Sequence, residues 1–334
     1  MILFLLLSFA PFTVVARFIG PFINRVNGGQ RAVMFGAALL RAVLMVGMVS
    51  SIKSLSLFPL AFGALVLSKT YSISKSSMVS SVVTGDARLV EANSKLAKVA
   101  GIVGFVVGVP AFLLQMISTS VTLYGGAVMF LLAAFQAWHL PKSKQKKSAD
   151  AALEYDELHS GTVLRAAHTM RFLRGAVGFM FFHLAFWLRS EIAGTAWFAL
   201  ALGIGSLSTL VANSLGGLVR RVLREHVVLE IALVVVAVVG LVAAYVGSIT
   251  AGIVLTGVIY AVGALGKLAF DSILQSRAPD ANRSRAFARY ETRNQLAQVA
   301  GGFVAVGLTP SGPIGFAIIG SIGLVAAIYY AVRY

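Results

Sequence analysis

The sequence predicts an all-α, polytopic transmembrane helical bundle, and three observations predict it. The 334 residues are 58% hydrophobic and only 12% charged, with a mean hydropathy of +0.87. A globule in water could not bury so much apolar surface, so the solvent of this chain is lipid. The apolar stretches run for about 18 to 22 residues, close to the roughly 20 that a helix needs to span hydrocarbon. They lack the alternation of barrel strands, and a helix satisfies its own backbone hydrogen bonds.

Eleven apolar segments are predicted to cross the membrane in succession. Their expected bounds are 1–18, 32–50, 56–79, 93–115, 120–139, 171–189, 193–213, 228–247, 249–273, 293–309 and 313–332. The polar stretch 141–169 begins with a lysine-rich run and continues through Asp150 and Glu157. It is predicted to be a flexible cytoplasmic linker. Contact of its lysines with anionic lipid headgroups is the alternative.

The basic residues are distributed unevenly between the loops. The formal net charge is +16, and the arginines and lysines concentrate after the first, third, fifth, seventh and ninth predicted spans. Such alternation is typical of loops that face the cytoplasm, which puts the C-terminus there and the protein in the cell membrane. It argues against nucleic-acid binding, which needs a basic stripe on one surface. The absence of cysteine excludes disulfides and thiolate metal sites.

An internal repeat divides the chain into two halves. Residues 91–101 align with 291–301 at an offset of 200, Lys69 aligns with Lys267 at 198, and 20–25 align with 216–221 at 196. Transporters are often built from such repeats, with the transport path between them. We therefore predict a first half over 1–140 with five helices and a second half over 170–334 with six.

The repeat predicts one further helix before the first span. The second half has two predicted spans before Gly216, whereas the first half has one before Gly20. Alignment of the halves places the additional helix roughly 25 residues before Met1. A truncated chain or an internal start methionine would explain this. A signal peptide over 1–16 is disfavoured because a basic n-region is absent.

The loop after the first span resembles a known family motif. Gly20, Asn24, Arg25, a glycine turn and Arg31 resemble the G-x-x-x-D-R-x-G-R-R loop between the second and third helices of the major facilitator superfamily. Asn24 stands where that family has aspartate. Residues 104–110 are similar to the glycine and proline pattern of the fifth helix in family antiporters. The resemblance implies alternating access to a small solute, with proton coupling and efflux.

The resemblance also implies a cytoplasmic gate. In the family, the charges of this loop bind the start of the eleventh helix, and the second copy binds the fifth. We expect Arg25 to contact Glu291, and Arg220 or Arg221 to contact Glu91. The alternative is that each glutamate only caps its own helix dipole. The predicted gate residues are Gly20, Asn24, Arg25, Arg31, Glu91, Gly216, Arg220, Arg221 and Glu291.

Ionisable and polar residues within spans are candidates for the substrate or ion pathway, because burying a charge in hydrocarbon is costly. Lys267 and Asp271 share one helical face, and Lys69 is the repeat partner of Lys267. They could bind an anionic group of the substrate or form a titrating network, or Lys267 and Asp271 could be a structural pair. The predicted pathway residues are Lys69, Lys267, Asp271, Arg41, Tyr71 and His183.

Two of these candidates also have structural interpretations. Arg41 lies near the middle of its span, but the repeat counterpart is apolar, which favours a structural role. His183 could carry a proton near neutral pH, although a single histidine in a helix is more often part of the packing.

The sequence lacks the residue constellations of an enzyme. There is no phosphate-binding loop, no nucleophile elbow and no cluster with metal-ligand spacing. We expect no enzymatic activity and no cofactor or metal. The expected partners are the lipid bilayer, an unidentified small solute and protons, without nucleic acid. The alternative function is a degenerate or truncated membrane protein that acts as a sensor or pseudo-transporter.

Overall fold

A computed structural model describes residues 29–83, 86–141, 161–277 and 283–332, and this part of the chain contains ten α-helices. A short 3-10 turn, Leu188–Ser190, follows α5. The helices are α1 Gly29–Ser50, α2 Leu57–Val82, α3 Asp86–Ile117, α4 Thr119–Trp138, α5 Gly161–Trp187, α6 Gly194–Val222, α7 Glu225–Val246, α8 Ile249–Arg277, α9 Arg283–Leu308 and α10 Gly312–Val332.

The prediction of an all-α membrane bundle is confirmed. Each of the ten helices coincides with one predicted span, and the span predicted over 1–18 lies outside the described residues. Eight of the ten are long and apolar enough to cross a membrane. The other two, α5 and α9, carry several arginines in their first turns.

Several helices extend beyond the predicted apolar spans. Helix α5 begins at Gly161, inside the stretch predicted as linker, and α6 ends at Val222 rather than near 213. In α5 the buried residues Val163, Ala166, Ala167 and Met170 recur at helical spacing. One apolar face of α5 therefore continues to pack before the predicted span begins, in a stretch whose mean hydropathy is too low to predict a membrane helix.

The described residues form two compact units. The first unit comprises 29–83, 100–141 and 283–292. In it α1 packs against both α2 and α4. Met34, Met78 and Ala137 form a small buried cluster there, with Tyr71 and other partly buried side chains around it.

The second unit comprises 86–99, 161–277 and 293–332. In it α6 packs along α8, and α7 packs along α10. A large buried core includes Leu173, Met180, Leu255 and Phe316. Gly240 lets α7 approach α10 closely, because a Cβ there would stand 2.7 Å from Gly320 Cα. The first turns of α3 thus pack with helices from the second half of the sequence.

Candidate functional site

An ion pair within α8 is the first feature of the candidate site. Lys267 Nζ lies 2.7 Å from Asp271 Oδ1 and 2.9 Å from Oδ2. The side chains are 27% and 12% exposed. Lys267 lies ten residues before the end of α8, about 15 Å along the axis. A carboxylate and an ammonium so placed neutralise each other, which lowers the cost of carrying charge within a span.

A second charged cluster joins α6, α7 and α8. Arg220 Nε donates to Glu225 Oε1 over 2.7 Å, and Ser272 Oγ donates to the same oxygen over 3.3 Å. Glu225 is the first residue of α7, where the helix dipole favours a carboxylate. Sequence analysis missed Glu225, although it is an acid that directly follows a cluster of arginines.

Gly216, one of the predicted gate residues, lies inside α6. A Cβ there would stand 2.5 Å from Leu268 Cδ1 and 3.2 Å from Ser94 Oγ. Its small size therefore permits close packing. The glycine turn predicted after the motif does occur, at Gly29, with φ of 64°.

The first turns of α3 contact α6 and α8 within the second unit. Asn93 Nδ2 donates to Gln275 Oε1 over 2.8 Å. Ser94 Oγ donates to the carbonyl oxygen of Asn213. Glu91 Cγ lies 3.9 Å from the position that a Cβ on Gly217 would occupy. The start of α3 and the ends of α6 and α8 therefore meet at one end of the unit.

The ion pairs at this end differ from the predicted gate. Glu91 pairs with Lys95 over 2.8 Å, and both side chains are well exposed. Arg220 pairs with Glu225, the first residue of the next helix. The expected contact of Arg220 or Arg221 with Glu91 stays a prediction. Arg221 lies in the same last turn of α6.

The remaining predicted gate residues belong to the first unit or lie outside the described residues. Arg31 Nη1 donates to the carbonyl oxygen of Leu140 over 3.2 Å, and its guanidinium carbon lies 5.0 Å from the centroid of Trp138. Arg31 thus stabilises the chain at the end of α4. Glu291 lies in α9, in the segment that belongs to the first unit. Gly20, Asn24 and Arg25 lie outside the residues that the structure describes.

Arg41 and Tyr71 come together in the first unit. The Arg41 guanidinium carbon lies 3.9 Å from the centroid of Phe130, and Arg41 and Tyr71 interact electrostatically. Arg41 Nε is buried and has no hydrogen-bond partner among the described residues. Lys69 lies two residues before Tyr71 on α2, so the two side chains leave different faces of the helix.

His183 is part of the packing between α5 and α10. The imidazole stacks on Trp187 with centroids 6.0 Å apart and meets Phe316 edge-on at 5.6 Å. The side chain is 1% exposed, and within the described residues Nε2 has no hydrogen-bond partner. Gly315 lies so close that any side chain there would overlap the imidazole. The geometry is that of a core residue.

The fold and the charged groups define a multi-pass helical membrane protein with an ion pair inside one span. No family model matches the chain. The uncharacterized protein ML2143 of Mycobacterium leprae (strain TN) is 26% identical over 347 residues, covering 91% of this chain and 59% of that protein. The uncharacterized protein Rv0876c of Mycobacterium tuberculosis (strain ATCC 25618 / H37Rv) is 36% identical over 109 residues, covering 30% of this chain and 19% of that protein. The chain therefore spans less than two thirds of the length of either relative.

Solved structures identify the fold more specifically. The Escherichia coli fucose:proton symporter FucP superposes with a TM-score of 0.75 at 13% identity, covering 98% of this chain and 90% of that chain. A bacterial homologue of the iron transporter ferroportin superposes with a TM-score of 0.72 at 16% identity, covering 98% of this chain and 87% of that chain. The human organic anion transporter MFSD10 superposes with a TM-score of 0.68 at 17% identity, covering 97% of this chain and 83% of that chain. The chain has the fold of major facilitator superfamily transporters, as the resemblance predicted.

Proposed function

We propose that this protein is a secondary active transporter that moves a small solute across the cell membrane by alternating access. The observation that carries the proposal is the Lys267–Asp271 ion pair, which lies within a span of a fold shared with solved transporters. A pair of opposite charges at that depth is costly to insert, so such residues usually serve a transport path or a proton relay. In this fold the energy comes from a gradient, since the sequence has no phosphate-binding loop.

We further propose proton coupling at Asp271. Protonation of its carboxylate removes the negative charge that holds Lys267 Nζ at 2.7 Å. The ammonium can then reorient towards an anionic group of the solute, so binding of a proton and of solute become linked. Export is the proposed direction, supported by the sequence similarity of 104–110 to family antiporters; Pro110 lies within α3.

The basic loops and the C-terminus face the cytoplasm in this proposal, by the distribution of arginine and lysine. The gate is proposed at the end of the second unit where α3, α6 and α8 meet, with Glu91 beside Gly217. Arg221 is the remaining partner that the sequence offers for Glu91.

The test is solute-driven proton movement in proteoliposomes that contain the full chain and an internal pH dye. The solute panel follows the classes named for the similar structures: fucose, iron and organic anions. Wild-type protein should move protons with at least one solute, and Asp271→Asn should lose that movement. Glu191→Gln is the matched control, since Glu191 is an exposed acid after the 3-10 turn.

A second function is favoured by one observation. Arg31 and Arg220, both predicted to be gate residues, are bound to local partners. A non-transporting sensor or pseudo-transporter would have such a fixed arrangement. Folded protein that moves none of the solutes, in either direction of the pH gradient, would favour that function. If transport continued unchanged after the proton gradient was collapsed, proton coupling would be rejected, and the proposal of a transporter would still stand.

A further inference from the structure

A crevice opens between α5, α7 and α10 in the second unit, at the end where α5 begins and α10 ends. Its volume is about 210 Å³. Polar side chains line one end of the crevice: Arg165 and His168 from α5, and Tyr329 and Tyr330 from α10. None of these residues belongs to the proposed pathway or gate.

The polar end of the crevice is held in place by local contacts. Arg165 Nε donates to the carbonyl oxygen of Gly161 over 3.2 Å, which fixes the guanidinium at the first turn of α5. The Tyr330 hydroxyl donates to the carbonyl oxygen of His226 over 3.4 Å. Tyr330 lies within electrostatic range of both Arg165 and Glu230. The polar end therefore presents a cation, an imidazole and phenol groups, with one carboxylate nearby.

The rest of the crevice is apolar and continues towards the middle of the helices. Phe172 lies about two turns further along α5 than Arg165. Ile322 and Val325 of α10 line the same crevice, and they are 50% and 66% exposed. Exposed branched side chains on a membrane helix face acyl chains. The crevice is thus cationic at the end of the helices and apolar deeper in.

We propose that this crevice binds one anionic phospholipid from the leaflet in which α5 begins. The phosphate contacts Arg165 and His168 beside the two tyrosines, and one acyl chain lies over Phe172 and Val325. The order of polar and apolar walls matches an amphiphile, and basic pockets between membrane helices are suited to acidic headgroups. A free phosphate would leave the apolar part empty.

The first test measures lipid retention by native mass spectrometry of the full chain in detergent. Phosphatidylglycerol and phosphatidylcholine with identical acyl chains are offered at equal concentration. Wild-type protein should retain phosphatidylglycerol preferentially. Arg165→Gln should weaken that preference about fivefold, the effect of one cationic group near a lipid surface. Arg189→Gln, a charge-matched change in the 3-10 turn that follows the opposite end of α5, should leave the preference unchanged.

A second measurement locates the lipid without removing the cationic group. Phe172→Trp places an indole in the apolar part of the crevice, and lipids brominated on the acyl chain quench indole fluorescence on contact. Brominated phosphatidylglycerol should quench the added fluorescence, relative to the parent chain, at a lower concentration than brominated phosphatidylcholine. This arm remains informative if Arg165→Gln fails to fold.

Three outcomes would overturn the proposal. Equal retention and quenching by the two lipids would mean a non-selective acyl groove. Loss of the phosphatidylglycerol preference on adding millimolar inorganic phosphate, at constant ionic strength, would mean a site for soluble anions. An unchanged preference in folded Arg165→Gln would place the lipid elsewhere.

Discussion

Equivalent positions in the two halves carry different chemistry. Lys69 on α2 and Lys267 on α8 are repeat partners, but the residue four positions later is Ile73 in the first half and Asp271 in the second. Ile73 is buried at 2% exposure, whereas Asp271 binds Lys267. The lysine is present at both aligned positions, and the residue four positions later is a carboxylate at the second of them.

Individual glycines also differ in the space around them. Gly36 on α1 and Gly104 on α3 have open space where a Cβ would stand. In the second unit, a Cβ on Gly178 would overlap the carbonyl group of Gln298, and one on Gly301 would overlap that of Gly175. Small residues that let backbones touch are the main packing device of membrane helices. Helix contacts in the second unit therefore depend on glycine in a way that these two first-half positions do not.

The largest expected effect tests this difference in packing. Gly178→Ala should destabilise the protein by about 3 kcal/mol, because its methyl group must displace the backbone of α9. The measurement is the thermal midpoint in detergent, followed by size-exclusion with fluorescence detection.

Gly36→Ala is the matched control in the first half. No heavy atom lies within 4 Å of the new methyl group. The change should be neutral or stabilise by up to about 1 kcal/mol, since alanine is the better helix former. Equal destabilisation by the two substitutions would contradict the comparison.

The second prediction tests the ion pair between Lys267 and Asp271. Asp271→Asn should cost about 2 kcal/mol, because it removes the carboxylate charge that pairs with Lys267 within a span. The double change Lys267→Met with Asp271→Asn should recover most of that loss, since neither charge then remains. Chemical denaturation in detergent measures both. If the double variant were as unstable as the single one, the pair would not be the source of the loss.

The third prediction compares the starts of α1 and α7, which are repeat partners at the offset of 196. Helix α1 begins at Gly29 with a positive φ, whereas α7 begins at Glu225, which binds Arg220 and Ser272. Glu225→Gln should cost about 1 kcal/mol, by weakening a charge-assisted hydrogen bond. Ser272→Ala should cost less, because its hydroxyl lies 3.3 Å from the carboxylate. The reverse order would mean that Arg220 finds another acceptor.

Hydropathy and loop charge were sufficient to predict the fold, because the lipid solvent fixes both helix length and backbone pairing. The ten described helices coincide with predicted spans for that reason. The face shared by Lys267 and Asp271 followed from helical spacing, and the pair is formed. The contacts between helix ends could not be predicted in this way, because they depend on the packing of segments that are far apart in the sequence.

Two outcomes illustrate that limit. The pairing of Arg220 with Glu225 was not predicted, because it depends on the geometry of the turn between α6 and α7. Gly216 was aligned with a loop motif by sequence, and its close packing against Leu268 and Ser94 is visible only in the structure. The contact between Asn93 and Gln275 had no sequence signal, since isolated amides occur on many helices.

The smallest expected effect concerns an ion pair at Glu91 that the aligned position in the second half does not repeat at the same spacing. Glu91 has Lys95 four residues later, whereas its repeat partner Glu291 has Gln295. Because both side chains of the Glu91 pair are exposed, Lys95→Gln should change stability by no more than about 0.5 kcal/mol. Asn93→Ala, two residues earlier, should cost more because it breaks a partly buried bond to Gln275. A larger loss from Lys95→Gln than from Asn93→Ala would mean that the carboxylate of Glu91, once released, disturbs its contact beside Gly217. In that case the pair with Lys95 would hold Glu91 in position for the proposed gate.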